Sequence, residues 1–205
     1  MGKRVLVVSA GAFHPTITAR RLFKNILNGI EGIRFVYTSS IEDLGALNGG
    51  GYDAVCLYFH RKVISDNALG ALKVFVSSGG GLFALHSASA SFKEKKEYFY
   101  ILGGRFVSHG KISRFTVNPA DSTSEVFKGV GPFTVKDELY IHEYDRDVKV
   151  HFNTEVGGST EPVLWTRGYG KGRVCYFSLG HVASIFKVKE VQEIIGKGVK
   201  WVLSA

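Results

Sequence analysis

Apolar positions along this chain gather in short unbroken runs, and the runs alternate with stretches whose apolar residues recur every three or four positions. "KRVLVVSA" (3–10) is a continuous run of the kind expected for a strand covered on both faces of a parallel sheet. "PTITARRLFKNILNG" (15–29) follows with helical spacing: Leu22, Phe23, Ile26 and Leu27 form its stripe, Pro15 stands near its start and Gly29 past its end. "IRFVYTS" and "YDAVCLYFH" read as the second and third strands. "SDNALGALKVFVSSGG" reads as a helix with a Ser cap, Leu69, Leu72 and Val76 on one face and a glycine stop. "GLFALH" (81–86) is a fourth strand, and "SFKEKKEYFYILGG" a third helix ending in glycines.

Strands alternating with helices at this spacing predict a doubly wound α/β sheet. Beyond residue 110 the pattern turns to strand-like pieces, "SRFTVNP", "VKVHFNT", "EPVLWTR" and "RVCYFSLG", before an amphipathic closing helix in "KVKEVQEIIGKGVKWVLSA". No linker, repeat or low-complexity tract interrupts the pattern, so residues 1–205 read as a single domain with a β-rich second half.

Composition changes this picture little. Apolar residues make up 45% and charged residues 21%, which is globular usage, and 25 glycines cluster at segment ends, where turns are expected. The net charge of +8 comes from scattered basic residues; the densest groups, Lys93-Lys95-Lys96 and Lys187-Lys189, lie beside glutamates and read as solvated helix faces, not a nucleic-acid footprint. The apolar run of the opening is too short for a secretory signal, and no stretch approaches the ~18 apolar residues that cross a bilayer. Cys56 and Cys175 both fall inside apolar runs and read as buried thiols of a cytoplasmic protein. One methionine and one glutamine among many lysines resemble thermophile usage.

Ligands of open α/β sheets bind outside the carboxyl ends of the strands. Those ends carry Gly11 and His14, His60, His86, and Gly180-His181, so four of the seven histidines follow strand ends within a few residues. His86 sits in Ala84-Leu85-His86-Ser87-Ala88, a histidine flanked by small residues two before and two after, as the tight turn of a nucleophile elbow requires. At a strand-to-helix junction such a histidine is kept neutral, fit to act as base, hydrogen-bond acceptor or metal ligand; a core histidine under a glycine turn fits the segment equally well. "GGRFVSHG" places His109 in a loop and "SLGHVAS" places His181 at a second junction, whereas His142 and His151 in the polar stretch 137–152 read as solvated or structural. Asp137 and Glu138 are adjacent, so on extended chain they point to opposite sides and one can face a pocket, although from the residues alone a helix-cap or surface pair is the commoner reading. "GGGL" precedes a strand and lacks the lysine and hydroxyl of a phosphate loop, "NGGGY" reads as a turn, and neither zinc-protease nor zinc-finger spacing occurs.

Taken together, "GGGLFALH", "YILGGRFVSHG", "DELY", "PVLWTRGYGKGRVCYFSLGH" and, more loosely, "SAGAFHP" resemble the ThuA-like (trehalose-utilisation) family across most of the chain. The resemblance implies a flavodoxin-like, mostly parallel sheet of the class I glutamine amidotransferase-like type. Where those enzymes carry an elbow cysteine this chain has His86, which argues against amidotransferase chemistry. It implies carbohydrate metabolism, and it carries His14, His86, His109, Asp137, Glu138, Tyr140, Trp165, Arg173 and His181 onto the site.

Two functions follow as expectations. In the first, an enzyme acts on a trehalose-related disaccharide or keto-sugar, with His86, His109, Glu138 and His181 as catalytic groups and His14, Asp137, Tyr140, Trp165 and Arg173 binding substrate. A divalent metal such as zinc, held by His86, His109 and His181, would assist, and a histidine base suffices for enolisation beside a keto group. Tyr140 and Trp165 offer aromatic faces to a sugar ring, with core packing the equal alternative. In the second, a non-catalytic sugar-binding or regulatory domain keeps its histidines as a structural metal site. The expected partner is a small carbohydrate, without nucleic acid or membrane, and self-association stays open.

Overall fold

The computed structural model describes residues 2–11, 15–120 and 124–204, so His14 lies outside the described residues. Eight strands precede three that complete the main sheet: β1 (Lys3–Ala10), β2 (Ile33–Thr38), β3 (Ala54–Phe59), β4 (Gly81–Leu85), β5 (Gly104–His109), β6 (Ser113–Pro119), β7 (Phe133–Asp137), β8 (Tyr140–Tyr144), β9 (Lys149–Val156), β10 (Ser159–Tyr169) and β11 (Gly172–Phe177). The helices are α1 (Ile17–Asn28), α2 (Asp66–Ser77), α3 (Lys96–Leu102) and α4 (Lys189–Val202), with 3₁₀ turns at Glu42–Gly49, His86–Ala90 and Ala183–Lys187.

Nine strands form one sheet in the order β2-β1-β3-β4-β11-β10-β9-β6-β7. The first five run parallel, and from β11 onward each pairing is antiparallel. β5 and β8 pair separately as a two-stranded antiparallel ribbon. This is an α/β fold with a large mixed sheet, parallel in its first half and antiparallel in the β-rich second.

Period-two alternation explains why β3 and β4 read as unbroken apolar runs. Cys56, Tyr58, Phe83 and Leu85 face α1 and α4, where Phe23, Leu27, Ile194 and Val199 are buried, while Val55, Leu57, Leu82 and Ala84 face α2 and α3 with Leu72, Val76 and Ile101. Both faces are covered, so neither can be polar. Helix starts follow their caps: the Thr16 hydroxyl accepts from Ala19 N at 3.1 Å and the Ser65 hydroxyl from Ala68 N at 3.2 Å. The third helix is shorter than its sequence pattern predicts. It spans only seven residues, ending at Gly103 in the left-handed conformation (φ 79°), and the lysine-rich stretch before it is a turn.

Three strands escape the sequence pattern. β5 was expected as loop, and β7 and β8 lie where no apolar run occurs. β5 and β8 belong to a half-exposed ribbon, so they carry polar residues on one side and lack the run that marks a buried strand.

The four inner parallel strands end on one edge of the sheet, which delivers Gly11, His60, His86 and Ser178 to a common rim. At the opposite edge the layers meet closely: a Cβ on Gly81 would lie 2.3 Å from the Val202 carbonyl oxygen at the end of α4. Gly81→Ala therefore forces α4 off the sheet. We expect a loss of about 3 kcal/mol, read as a lower midpoint in urea unfolding at unchanged slope.

Candidate functional site

The site is built from chain segments that follow β4 and β11 and from the β7–β8 junction. His86 ends the run of β4 with φ 46°, a left-handed conformation that costs a non-glycine residue roughly 1–2 kcal/mol. The elbow expected from the small neighbours is therefore present, and the helix expected at this junction is a five-residue 3₁₀ turn that begins at His86. Gly180 makes the close approach work: at φ 141° it lies against His86, and a Cβ there would sit 3.1 Å from the His86 Cβ. His86 is fully buried, and its Nδ1 lies 2.8 Å from the Ser178 carbonyl oxygen. A carbonyl only accepts, so Nδ1 carries the proton and Nε2 presents its lone pair.

That lone pair is directed toward Glu138. The Glu138 carboxylate, also buried, is shared among three histidines: Oε1 lies 3.0 Å from His109 Nδ1, and Oε2 lies 3.1 Å from His181 Nδ1 and 4.0 Å from His86 Nε2. The ribbon supplies His109, because the β5–β8 register sets it directly opposite Tyr140, two residues beyond Glu138. Asp137 supplies His181. Its carboxylate accepts the backbone N–H groups of Gly180 at 2.7 Å, His181 at 3.3 Å and Val182 at 2.8 Å, folding the loop after β11 around itself. Burial raises the Asp137 carboxyl above its ordinary value, against the pull of those backbone donors. The two adjacent carboxylates thus divide as extended chain allows: one holds a loop, the other faces the histidines.

Ligand-capable atoms of His86, Glu138 and His181 lie within 4.8 Å of one another. Two imidazoles and a carboxylate at that spacing match the nitrogen and oxygen donors zinc takes, and the Nδ1 anchor of His86 is the outer hydrogen bond that orients a ligating imidazole. Ser87 Oγ and Ser178 Oγ, on the residue after His86 and on the residue whose carbonyl holds its Nδ1, are buried without a hydrogen-bond partner among the described residues. Solvent reaches the cluster through His109 and His181, whose side chains are 44% and 25% exposed. A surface hollow of about 420 Å³ lies at the opposite edge of the sheet, beside Tyr52 and Phe75. Converging polar groups, not hollow size, locate the site.

The remaining expected residues fare differently. Tyr140 is at the site, but it is buried with its ring 4.1 Å from that of His86 and 4.4 Å from that of Phe106, so its packing is against protein rings. Trp165 is corrected from sugar platform to core: it is fully buried, donates from Nε1 to the Leu102 carbonyl at 2.9 Å and packs 4.3 Å from Tyr176. Arg173 is corrected as well. It lies at the start of β11, in register with Gly81 at the far edge of the sheet, and donates to the Trp201 carbonyl at 3.3 Å. His109 lies beside Glu138 but outside the group of ligand-capable atoms, which His86, Glu138 and His181 form. His151 is structural, buried between the hydroxyls of Ser124 and Thr166 at 2.7 Å each.

Sequence reading missed a second buried polar group. Glu161 Oε1 lies 2.9 Å from His142 Nδ1, and His142 Nε2 lies 3.1 Å from the Tyr176 hydroxyl and 3.4 Å from that of Ser89. The available signal was a glutamate and a tyrosine within otherwise apolar strands, where a buried polar side chain needs a partner.

The sequence matches the family described as "ThuA: Trehalose utilisation" over residues 4–202. Among solved structures, a ThuA-like protein from Parabacteroides merdae superimposes with a TM-score of 0.83 at 17% identity, covering 99% of this chain and 90% of that one. A ThuA-like protein from Bacteroides uniformis gives 0.82 at 17% identity, covering 98% and 91%. A β-galactosidase from Bacillus circulans shares the fold over 31% of its own chain and 98% of this one, at a TM-score of 0.69 and 11% identity. No curated protein matches the sequence. With nearly its whole length matched, the chain belongs to the ThuA (trehalose utilisation) family.

Proposed function

We propose that this protein is a cytoplasmic enzyme of carbohydrate metabolism that acts on a disaccharide or keto-sugar, trehalose-related by family, at the cluster of His86, His109, Glu138 and His181. The order of the five parallel strands supports the flavodoxin-like, amidotransferase-like reading of the sheet, and that architecture places ligands at the edge where the cluster lies. One observation carries the proposal: a single buried carboxylate lies within 4.0 Å of nitrogens of three histidines that come from three separate segments. Sealing a carboxylate and an imidazole away from water costs several kcal/mol, which a structural core avoids by using apolar groups. The arrangement has the parts of a proton-transfer site.

Each residue has a task in this reading. His86 presents a fixed lone pair, because Ser178 holds its proton on the other nitrogen. Glu138 lies within ion-pair distance of His109 Nδ1, at 3.0 Å, and of His181 Nδ1, at 3.1 Å, and holds a carboxylate between the two rings. His109, the most exposed of the group, exchanges protons with solvent and serves as the acid or base nearest the opening. Asp137 keeps His181 in place through the backbone. His86, Glu138 and His181 would hold a divalent ion such as zinc, which when bound polarises a sugar carbonyl or hydroxyl and acidifies the neighbouring C–H.

Two outcomes test the reading. His86→Ala, His109→Ala and Glu138→Ala are each expected to cut turnover of a 3-keto-disaccharide by ~100-fold or more, measured as product formed. Turnover at the parent rate in all three variants would falsify the enzyme assignment, and binding of the sugar without any product would point to the non-catalytic domain. Chelator treatment is expected to lower the melting temperature and added zinc to restore it, followed by calorimetry; an unchanged transition removes the metal from the reading.

A further inference from the structure

The 3₁₀ turn that begins at His86 is held by the second polar cluster, which the reaction as described leaves unused. Glu161 lies on β10 just before its register shift between Pro162 and Leu164. Its Oε1 accepts twice from one residue, from the His142 backbone N–H at 3.0 Å and from the His142 ring at Nδ1, 2.9 Å away. The ring proton is thereby placed on Nδ1, and Nε2 is left as an acceptor. Burial pushes the His142 imidazole below its ordinary value and outweighs the upward pull of Glu161, so this ring is neutral at neutral pH.

Two hydroxyls meet that acceptor. Tyr176 and Ser89 are 2.7 Å apart, and each also reaches the main-chain carbonyl oxygen of His86, Tyr176 at 2.9 Å and Ser89 at 3.2 Å. Two hydroxyl protons serve three contacts: one bridges the two hydroxyls, and the other goes to His86 O or to His142 Nε2, so the pair links the His86 carbonyl to His142 in either arrangement. All four side chains are buried, so water does not compete for these bonds.

A cluster of this kind is a poor source of stability, since apolar side chains would fill the same space without desolvating a carboxylate. What it does fix is the His86 carbonyl, at a residue whose left-handed backbone otherwise relaxes. We propose that Glu161, His142, Tyr176 and Ser89 are positioning residues that clamp the main chain of His86 and so aim its Nε2 at Glu138. Ser178 holds the ring from its far nitrogen and the clamp holds the backbone from below, so the two anchors together define the ring's direction. The inference rests on the reading of His86, Glu138 and His181 as the site.

A matched pair of variants tests it. Tyr176→Phe removes the hydroxyl that bonds the His86 carbonyl; Tyr98→Phe removes an equally buried hydroxyl that donates to the Ala88 carbonyl at 3.0 Å, two residues along the same turn. Both are expected to lower the unfolding midpoint by similar amounts. Only Tyr176→Phe is expected to weaken zinc binding by the full chain, by about tenfold or more in calorimetry, against less than about twofold for Tyr98→Phe. Only Tyr176→Phe is expected to move the imidazole ¹⁵N shifts of His86 in the metal-free protein. Should Tyr176→Phe fail to fold, Ser89→Ala removes the other hydroxyl and is expected to move the same shifts. Equal zinc affinity and unmoved His86 shifts in both tyrosine variants overturn the clamp. A parent protein that binds no zinc overturns the metal reading instead, and the His86 shifts then decide the clamp alone.

Discussion

Glu138 is a carboxylate out of reach of most solvent, and three imidazole nitrogens from distant parts of the chain lie within 4.0 Å of it. A buried carboxylate needs polar groups around it, and that requirement shapes the segments that bring them. His181 must be delivered by a loop, so Asp137 gathers three consecutive backbone N–H groups to shape that loop. His109 must be delivered from the side, so a short ribbon is laid beside the main sheet with His109 opposite Tyr140. His86 must arrive at a strand end with its ring turned inward, so a left-handed backbone and a glycine neighbour are accepted there.

The two halves of the chain divide this work. The parallel half is rigid and dry, and it supplies position: strand ends in register and helices packed on both faces. The β-rich second half of the chain supplies chemistry, carrying Asp137, Glu138, His142, Glu161 and Tyr176 on its strands and their junctions. Acidic and aromatic partners drawn from the second half complete a histidine offered by the first. Neither half holds a complete site.

Much of the parallel half was legible because burial on both faces leaves a continuous apolar run, and because Pro15, Gly29 and the Ser65 cap mark helix ends locally. His86 was legible for a similar reason, since small neighbours at fixed offsets are a local steric requirement. Trp165 and Arg173 misled. A tryptophan near a site segment offers the same sequence signal whether its face meets a sugar or Tyr176, and an arginine at a strand start gives no sign of which sheet edge it occupies.

Sequence alone thus determined what local sterics and periodicity encode: the alternation of strands and helices, their caps, and a histidine displayed at a strand end. The tertiary structure decided which histidines share a carboxylate, which of two adjacent acids faces them, and that His142, Glu161 and Tyr176 close on the His86 carbonyl. Those outcomes depend on register and strand order. A shift of one residue in the β5–β8 pairing would turn His109 to the other side of the ribbon, and nothing in the local sequence of either strand records that choice.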